Sequence, residues 1–313
     1  GYSPNRWTAL LDVMTAKGYT KEELLEAGLL SQNRDKGTLY DRFRNRVMFP
    51  IIDVRGEVIG FGGRVMDDSQ PKYLNSPDTP VYNKSRNMFA LNIAKGSKAG
   101  RAILTEGYMD VITLHQYGYT QAVGVLGTAL TPDQIKRLSG FSSSLELMFD
   151  GDNAGRKAAF RSCEMLLSRG LSCKVVLFPD DNDIDSMLHS FGADAVEDLR
   201  AHAQDGLEFC ISVLRGMAPR DAVEWARHFL SQVDMPELFH RFAADLAAGL
   251  GLSEADLRGG VLERRSAAAP RAQERRSTAP RSISRGAPVN TARPPDSSAA
   301  GMQKRRVLPL SQQ

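Results

Sequence analysis

Three cysteines, Cys163, Cys173 and Cys210, are all this 313-residue chain has, and no two stand in C-x-x-C spacing. That excludes a disulfide framework and a cysteine zinc site, and it points to a reducing cytoplasm. No apolar run reaches the roughly 18 to 20 residues that cross a bilayer. No charged, apolar and small-residue signal opens the chain either, so no membrane is expected as a partner. Nothing matches G-x-x-x-x-G-K-[ST], which excludes a P-loop motor within the sequence. His115, His189, His202, His228 and His240 are scattered and fit no metal spacing. The first residue is Gly1, not Met, as in an internal piece of a longer protein.

What is present is ordinary in bulk, at 42% hydrophobic and 25% charged residues. The net charge of +3 conceals a division along the chain. Residues 1–100 carry 15 basic against 11 acidic side chains, residues 101–260 carry 14 against 23, and residues 261–313 carry 11 against 3. A basic region suits nucleic acid or nucleotide phosphate, and an acidic one suits metal ions. The last stretch is Ala, Arg, Pro and Ser without an aromatic residue. It buries too little apolar surface to offset its ordering entropy and reads as a disordered linker.

Trp7, Leu10, Leu11 and Met14 have the spacing of one buried helical face. Thr20 and Glu23 pair as a capping box that opens a second helix carrying Leu24 and Leu25. The period then shortens to that of strands over 39–43, 47–51 and 57–61, with a turn at Arg55-Gly56. From residue 101 strands and helices alternate: strands near 102–104, 122–125, 145–149 and 174–178, helices near 109–117, 132–138 and 154–168. Thr131 and Pro132 are a helix-opening pair. Such alternation predicts an α/β fold with a mostly parallel sheet covered on both faces. Residues 193–258 read as all-helical, with Trp225, Phe229, Phe239 and Phe242 as core anchors.

Ligands of parallel α/β sheets bind beyond the carboxyl ends of the strands. Glu106 follows the first strand of the alternation, Asp150 and Asp152 follow the third, and Asp180, Asp181, Asp183 and Asp185 follow the fourth. Crowded carboxylates repel and raise one another's pKa, and a hard, oxygen-seeking cation such as Mg²⁺ removes the conflict. Two such ions can hold the attacking and leaving oxygens of a phosphoryl or nucleotidyl transfer. Gly107 and Gly151 allow close backbone approach. Each acid taken singly also fits a helix cap, and Asp110, inside a helix, also fits a wet face.

Glu106-Gly-Tyr-Met-Asp110, Asp150-Gly-Asp152 and Asp183-Ile-Asp185 resemble the acidic motifs of the Toprim fold, shared by primases, topoisomerases and related nucleases. Upstream, Tyr40-Asp-Arg-Phe-Arg-Asn-Arg-Val-Met-Phe-Pro50, Gly60-Phe-Gly-Gly-Arg64 and Pro71-Lys-Tyr-Leu-Asn-Ser-Pro77 resemble the basic subdomain of bacterial DnaG-type DNA primases. The resemblance implies a Toprim parallel-sheet core at 99–192, flanked by an α+β basic subdomain at 1–98 and a helical subdomain at 193–260, before the linker at 261–313. It implies an enzyme that starts RNA chains on single-stranded DNA from NTPs, associated with the bacterial replisome. Glu106, Asp150 and Asp152 become the catalytic acids. With Asp183 and Asp185 they hold Mg²⁺ or Mn²⁺, Asp110 supports them, and no zinc is expected in this chain. Arg42, Arg44, Arg64, Lys72, Tyr73, Asn75 and Lys84 become contacts to nucleotide or DNA, since guanidinium and ammonium groups match phosphate oxygens. Arg46 and Arg55 read as plain surface charges.

Asp181-Asn182 and Ile184 depart from the family pattern, where a glycine turn and a proline are common, and predict altered loop geometry. The family's zinc-binding module and helicase-binding domain have no counterpart in the sequence, which also starts short of the family's opening helices. A replicative helicase is thus a partner expected of the full-length family member. Rival readings are a Toprim nuclease and a non-catalytic DNA-binding recombination module; a topoisomerase would need a strand-cleaving tyrosine in a further domain.

Overall fold

The structure, a computed structural model, describes residues 1–127, 129–179 and 182–268, with side chains as far as Val261. Asp180, Asp181 and residues 269–313 of the linker expected at 261–313 lie outside the described residues. The amino-terminal part contains β1 (Tyr2–Ser3), α1 (Ala9–Ala16), α2 (Lys21–Glu26), β2 (Leu30–Gln32) and β3 (Leu39–Asp41). The capping box forms as expected: Thr20 Oγ1 accepts the Glu23 N–H at 3.1 Å, and the Glu23 carboxylate accepts the Thr20 N–H at 2.8 Å. Leu11, Leu24 and Leu30 close a small core between the two helices and the β2–β3 ribbon. Trp7 does not join it. Helix α1 starts after Thr8, so Trp7 precedes the helix and stands 64% exposed, against the buried face expected of it.

Strands β4 (Arg46–Ile52), β5 (Val58–Val65) and β6 (Tyr73–Asn75) then form an antiparallel sheet with β1, in the order β1-β4-β5-β6. The expected turn sits between β4 and β5. There the Asp53 carboxylate accepts the N–H groups of Arg55 and Glu57, and Gly56 takes a φ of +93°. Arg46 is a correction to the surface-charge reading. It is 6% exposed and donates to the carbonyls of Gly63 (3.0 Å) and Pro71 (2.9 Å), tying β5 to the loop that leads into β6. Arg55 is exposed, as expected, and pairs with Asp53 and Glu57.

After α3 (Leu91–Ala94) comes the alternating region: β7 (Ala102–Thr105), α4 (Tyr108–Gln116), β8 (Ala122–Gly124), α5 (Pro132–Ser139), β9 (Ser144–Met148), α6 (Asn153–Leu167), β10 (Ser172–Val176) and α7 (Ile184–Ala201). Thr131 caps α5 as the sequence predicts, accepting the Gln134 N–H at 3.2 Å. Strands β10, β9, β7 and β8 are parallel neighbours in that order. Side chains alternate across the strands, so Leu104, Leu145 and Leu147 enter the core under α5 and α6, while Ile103 and Met148 enter the core under α4 and α7. Glu146 also points to the α7 side. It is buried there because Arg200 on α7 grips it at 2.7 Å and Arg101 reaches it at 3.3 Å.

The chain continues through β11 (Gln204–Asp205), α8 (Gly206–Arg215), α9 (Pro219–Gln232), α10 (Pro236–Leu250) and α11 (Glu254–Ala268). The reading of 193–258 as wholly helical misses β11, which adds an antiparallel edge to β10. Helix α7 is broken just before that range, at Gly192 with a φ of +79°. Residues 261–268 belong to α11, with Val261 buried, where the linker was expected to begin. Phe229 and Phe242 are buried as expected, with Trp225 and Phe239 packed partly buried against the same core.

Candidate active site

The carboxyl ends of β7, β9 and β10 lie side by side, because these strands are neighbours and parallel. Glu106 leaves β7, Asp150 follows β9, and Asp183 follows β10. Their carboxylates share one electrostatic neighbourhood. Burial first, then Asp150, Asp110 and Asp152, push Glu106 up to about 7. Burial and Asp150 push Asp110 up to about 6, against a bond from the Gly107 N–H (3.0 Å) that favours its ionised form. Asp150 is raised by burial and by Asp183 and Asp152, and lowered by the nearby Lys72. Asp110 is therefore enclosed in the acidic group and is not part of a wet helix face.

Local structure fixes the remaining acids. Asp152 caps α6 by accepting the Gly155 N–H at 2.7 Å, and Asp183 caps α7 by accepting the Ser186 N–H at 2.7 Å. Each carboxylate thus spends one oxygen on its own helix. Asp185 accepts a short hydrogen bond from the Thr113 hydroxyl on α4 and lies 3.5 Å from His189. Gly151 is required by crowding, since a Cβ there would stand 2.3 Å from the Pro179 carbonyl oxygen.

A divalent cation fits this group. Among the described residues Glu106 Oε1 is buried without a hydrogen-bond partner, and its neighbours are carboxylates whose repulsion a cation would relieve. Among the described residues no three His, Cys, Asp or Glu side chains form a ready metal cage. Mg²⁺ does not require one, because it keeps several waters and takes one or two carboxylates plus substrate phosphates.

Beside Glu106 opens a cavity of about 490 Å³ lined by Arg42, Tyr73, Asn75, Lys84, Tyr108 and Leu126, among others. The two halves of the sequence meet here, basic residues from one and the first acid from the other. Tyr108 is the keystone that the sequence did not reveal. Its hydroxyl donates to Asn75 Oδ1 at 2.6 Å, and its ring stacks on Phe49 at 5.0 Å and lies 6.1 Å from Tyr73. Asn75 also donates to the Leu126 carbonyl at 3.1 Å, and its own carbonyl accepts from Arg42 at 2.8 Å. Arg64 stands 5.7 Å over the Tyr73 ring. Of the seven expected nucleotide or DNA contacts, Arg42, Tyr73, Asn75 and Lys84 line the cavity, Lys72 is exposed and close enough to lower the pKa of Asp150, and Arg64 covers Tyr73. Arg44 stands apart, packed on Trp7 and Tyr40. Thr113, which donates to Asp185, was not singled out by sequence, since no spacing rule marks a residue that contacts an acid 72 positions away; His189, four residues after Asp185 on the same helix, was read as an ordinary histidine.

Comparison with known proteins separates the same basic and acidic regions. A family described as DNA primase catalytic core, N-terminal domain, matches residues 1–95, and a Toprim-like family matches residues 103–188. DNA primase of Clostridium acetobutylicum is 45% identical over 213 residues, covering 68% of this chain and 35% of that protein. DNA primase of Neisseria meningitidis serogroup A is 37% identical over 274 residues, covering 82% of this chain and 45% of that protein. The chain thus spans less than half the length of these curated relatives. A DNA primase domain from Pseudomonas aeruginosa superposes with a TM-score of 0.76 at 36% identity, over 83% of this chain and 85% of that one. A DnaG primase catalytic domain bound to single-stranded DNA superposes with a TM-score of 0.70 at 35% identity, over 82% and 84% of the two chains. With the basic and the acidic regions each matched by a family, and a primase domain matched over most of its length, this chain belongs to the family of DnaG-type DNA primase catalytic cores.

Proposed function

We propose that this chain is the RNA-polymerizing core of a DNA primase, joining NTPs into short RNA on a single-stranded DNA template. The observation that carries the reading is the meeting of Glu106 with Arg42 and Lys84 in one cavity, beside an acidic group that Lys72 overlooks. Residues 1–98 supply the basic wall, 99–192 the Toprim acids and the helices that follow the helical support.

Glu106, Asp150, Asp152, Asp183 and Asp185 would hold Mg²⁺ or Mn²⁺, and Asp110 supports them through the Gly107 N–H. The bound ions would supply positive charge at the reacting phosphate and at the departing pyrophosphate. The protein's own groups bind and orient. Lys72, beside Asp150, and Lys84, across the cavity, attract the triphosphate while the acids hold it off the carboxylate wall. Arg42, pinned by the Asn75 carbonyl, and Arg64, braced on Tyr73, present guanidinium groups whose position is set before substrate arrives. Single-stranded DNA and NTPs are the proposed partners. A replicative helicase belongs to the longer protein of which such cores are part.

Asp152→Asn tests this directly. Asn caps a helix as well as Asp does, so the change removes charge and leaves α6 in place. With labelled single-stranded DNA, labelled NTPs and Mg²⁺ or Mn²⁺, the parent chain should yield short RNA that the variant does not. Cut DNA without RNA would replace this reading with a Toprim nuclease, and undiminished synthesis by Asp152→Asn would remove the metal assignment.

A further inference from the structure

Thr113 lies inside α4 and is 1% exposed, so its hydroxyl needs a partner within the protein. A helical threonine often turns its hydroxyl to the carbonyl four residues back. Thr113 instead donates across to Asp185 Oδ1 on α7, at 2.5 Å. Helices α4 and α7 run side by side, because each follows a parallel strand and both cover one face of the sheet. Contact repeats one turn further on. Tyr117, four residues after Thr113, meets the ring of His189, four residues after Asp185, edge-on at 6.1 Å. A spacing of four returns to the same helix face, so Thr113–Asp185 and Tyr117–His189 form one seam between the two helices. His189 Nε2 lies 3.5 Å from the same Asp185 Oδ1, too long for a firm hydrogen bond, which leaves Thr113 as the tie.

The seam begins at the acids. Thr113 stands three residues after Asp110, on the same face of α4, and Asp185 is close enough to Asp110 to raise its pKa. Asp185 is the second residue of α7, and its side chain is 40% exposed. A carboxylate at that position is drawn to the N–H groups of its own first turn and has several rotamers open to it. The Thr113 hydroxyl selects one of them. Resting on the assignment of Asp185 to the metal-holding acids, we propose that Thr113 is a positioning residue for nucleotidyl transfer, fixing the Asp185 carboxylate before an ion or a substrate arrives. A hydrogen bond to an ionised carboxylate is about twice as strong as one between neutral groups. It is already made in the free protein, so little ordering of Asp185 remains to oppose metal binding. Helix α4 then serves three acids: Glu106 precedes it, Asp110 lies on it, and Asp185 is tied to it.

Mn²⁺ binding, followed by loss of the free-ion signal in electron paramagnetic resonance, tests this without turnover. Thr113→Val keeps the shape of the side chain and deletes the hydroxyl. It should weaken Mn²⁺ binding about 10- to 100-fold, the range for losing a hydrogen-bonding partner behind a metal ligand. Thr113→Ser keeps the hydroxyl and should bind as the parent does. Asp185→Asn should weaken binding too, and adding Thr113→Val to it should cost nothing further, since both act through one carboxylate. In primer synthesis, Thr113→Val should raise the Mg²⁺ concentration at half-maximal rate and leave the rate at saturating Mg²⁺ near that of the parent. Circular dichroism verifies folding, and Thr113→Ala stands in should Thr113→Val prove unfolded. Parent-like Mn²⁺ affinity in a folded Thr113→Val or Thr113→Ala, a Thr113→Ser as weak as either, or a full further loss in the double variant would each overturn the role of Thr113. Parent-like affinity in Asp185→Asn would take Asp185 out of the metal set and the proposal with it. A parent chain that binds no Mn²⁺ would remove the metal assignment as a whole, whereas weakening by Asp185→Asn alone removes only the part played by Thr113.

Discussion

Gly62→Ala isolates the contact that holds the two halves of the site together. A Cβ at Gly62 would stand 2.2 Å from Tyr108 Cζ and Oη, far inside van der Waals contact, so the ring must move. It has little room, because Phe49 stacks on it at 5.0 Å and Phe89 meets it edge-on at 4.8 Å. Overpacking of this kind costs about 1 to 3 kcal/mol. Displacing the hydroxyl also breaks its 2.6 Å bond to Asn75, worth a further ~0.5 to 1.5 kcal/mol. Together these give about 2 to 4 kcal/mol, measured as the fall in unfolding free energy by urea denaturation with circular dichroism. In a Tyr108→Ala background the obstacle is gone, and Gly62→Ala should then cost less than about 1 kcal/mol. Because Asn75 carries Arg42 on its carbonyl, NTP binding should weaken in the single variant. A Gly62→Ala protein within about 0.5 kcal/mol of the parent, or one whose loss persists without Tyr108, would refute the argument.

Arg46→Met should destabilise the chain by about 3 to 5 kcal/mol by urea denaturation, since a buried cation that donates to the carbonyls of Gly63, Pro71 and Lys72 is removed. Lys72→Ala should raise the KM for NTPs while the melting temperature stays within a degree or two, because Lys72 meets the acidic group and not a core. The metal-free protein should lose stability as pH rises from about 4 to 7. Asp110 near 6 and Glu106 near 7 bind protons more tightly folded than unfolded, so ionising them opposes folding. For the largely buried Asp110 the ceiling is about 3 kcal/mol, at about 1.4 kcal/mol per pKa unit. Melting curves in chelator should therefore fall between pH 5 and pH 8. Mg²⁺ should restore the loss at pH 8 and do little at pH 5, where the acids are protonated.

The readings that held were carried by local rules. Thr20 with Glu23 and Thr131 with Pro132 mark helix starts within four residues, so no distant contact can alter their meaning. The alternation after residue 101 told which acids follow which strands, and parallel pairing did the rest by placing neighbouring strand ends together. Trp7 and Arg46 failed for opposite reasons. Helical spacing put Trp7 on a buried face, but the helix starts two residues later, and Arg44 with Tyr40 takes the indole outside. Charge put Arg46 on the surface, but carbonyls from Gly63 and Pro71 converge on it from residues 17 and 25 positions away. Asp110 likewise looked peripheral until burial and the Gly107 N–H enclosed it.

The sequence by itself determined the α/β alternation, the caps and the placing of Glu106, Asp150, Asp152, Asp183 and Asp185 at successive strand ends, because each of these depends on neighbours along the chain. Its motifs were also enough to bring out the family. Only the tertiary structure decided that Tyr108 ties the basic half to the acidic half through Asn75, and that Lys72 overlooks Asp150. It alone showed that Glu106 keeps an unpartnered oxygen and that Trp7 faces solvent under Arg44. Burial and charge coupling depend on groups that folding brings together from distant positions, and no local period encodes them.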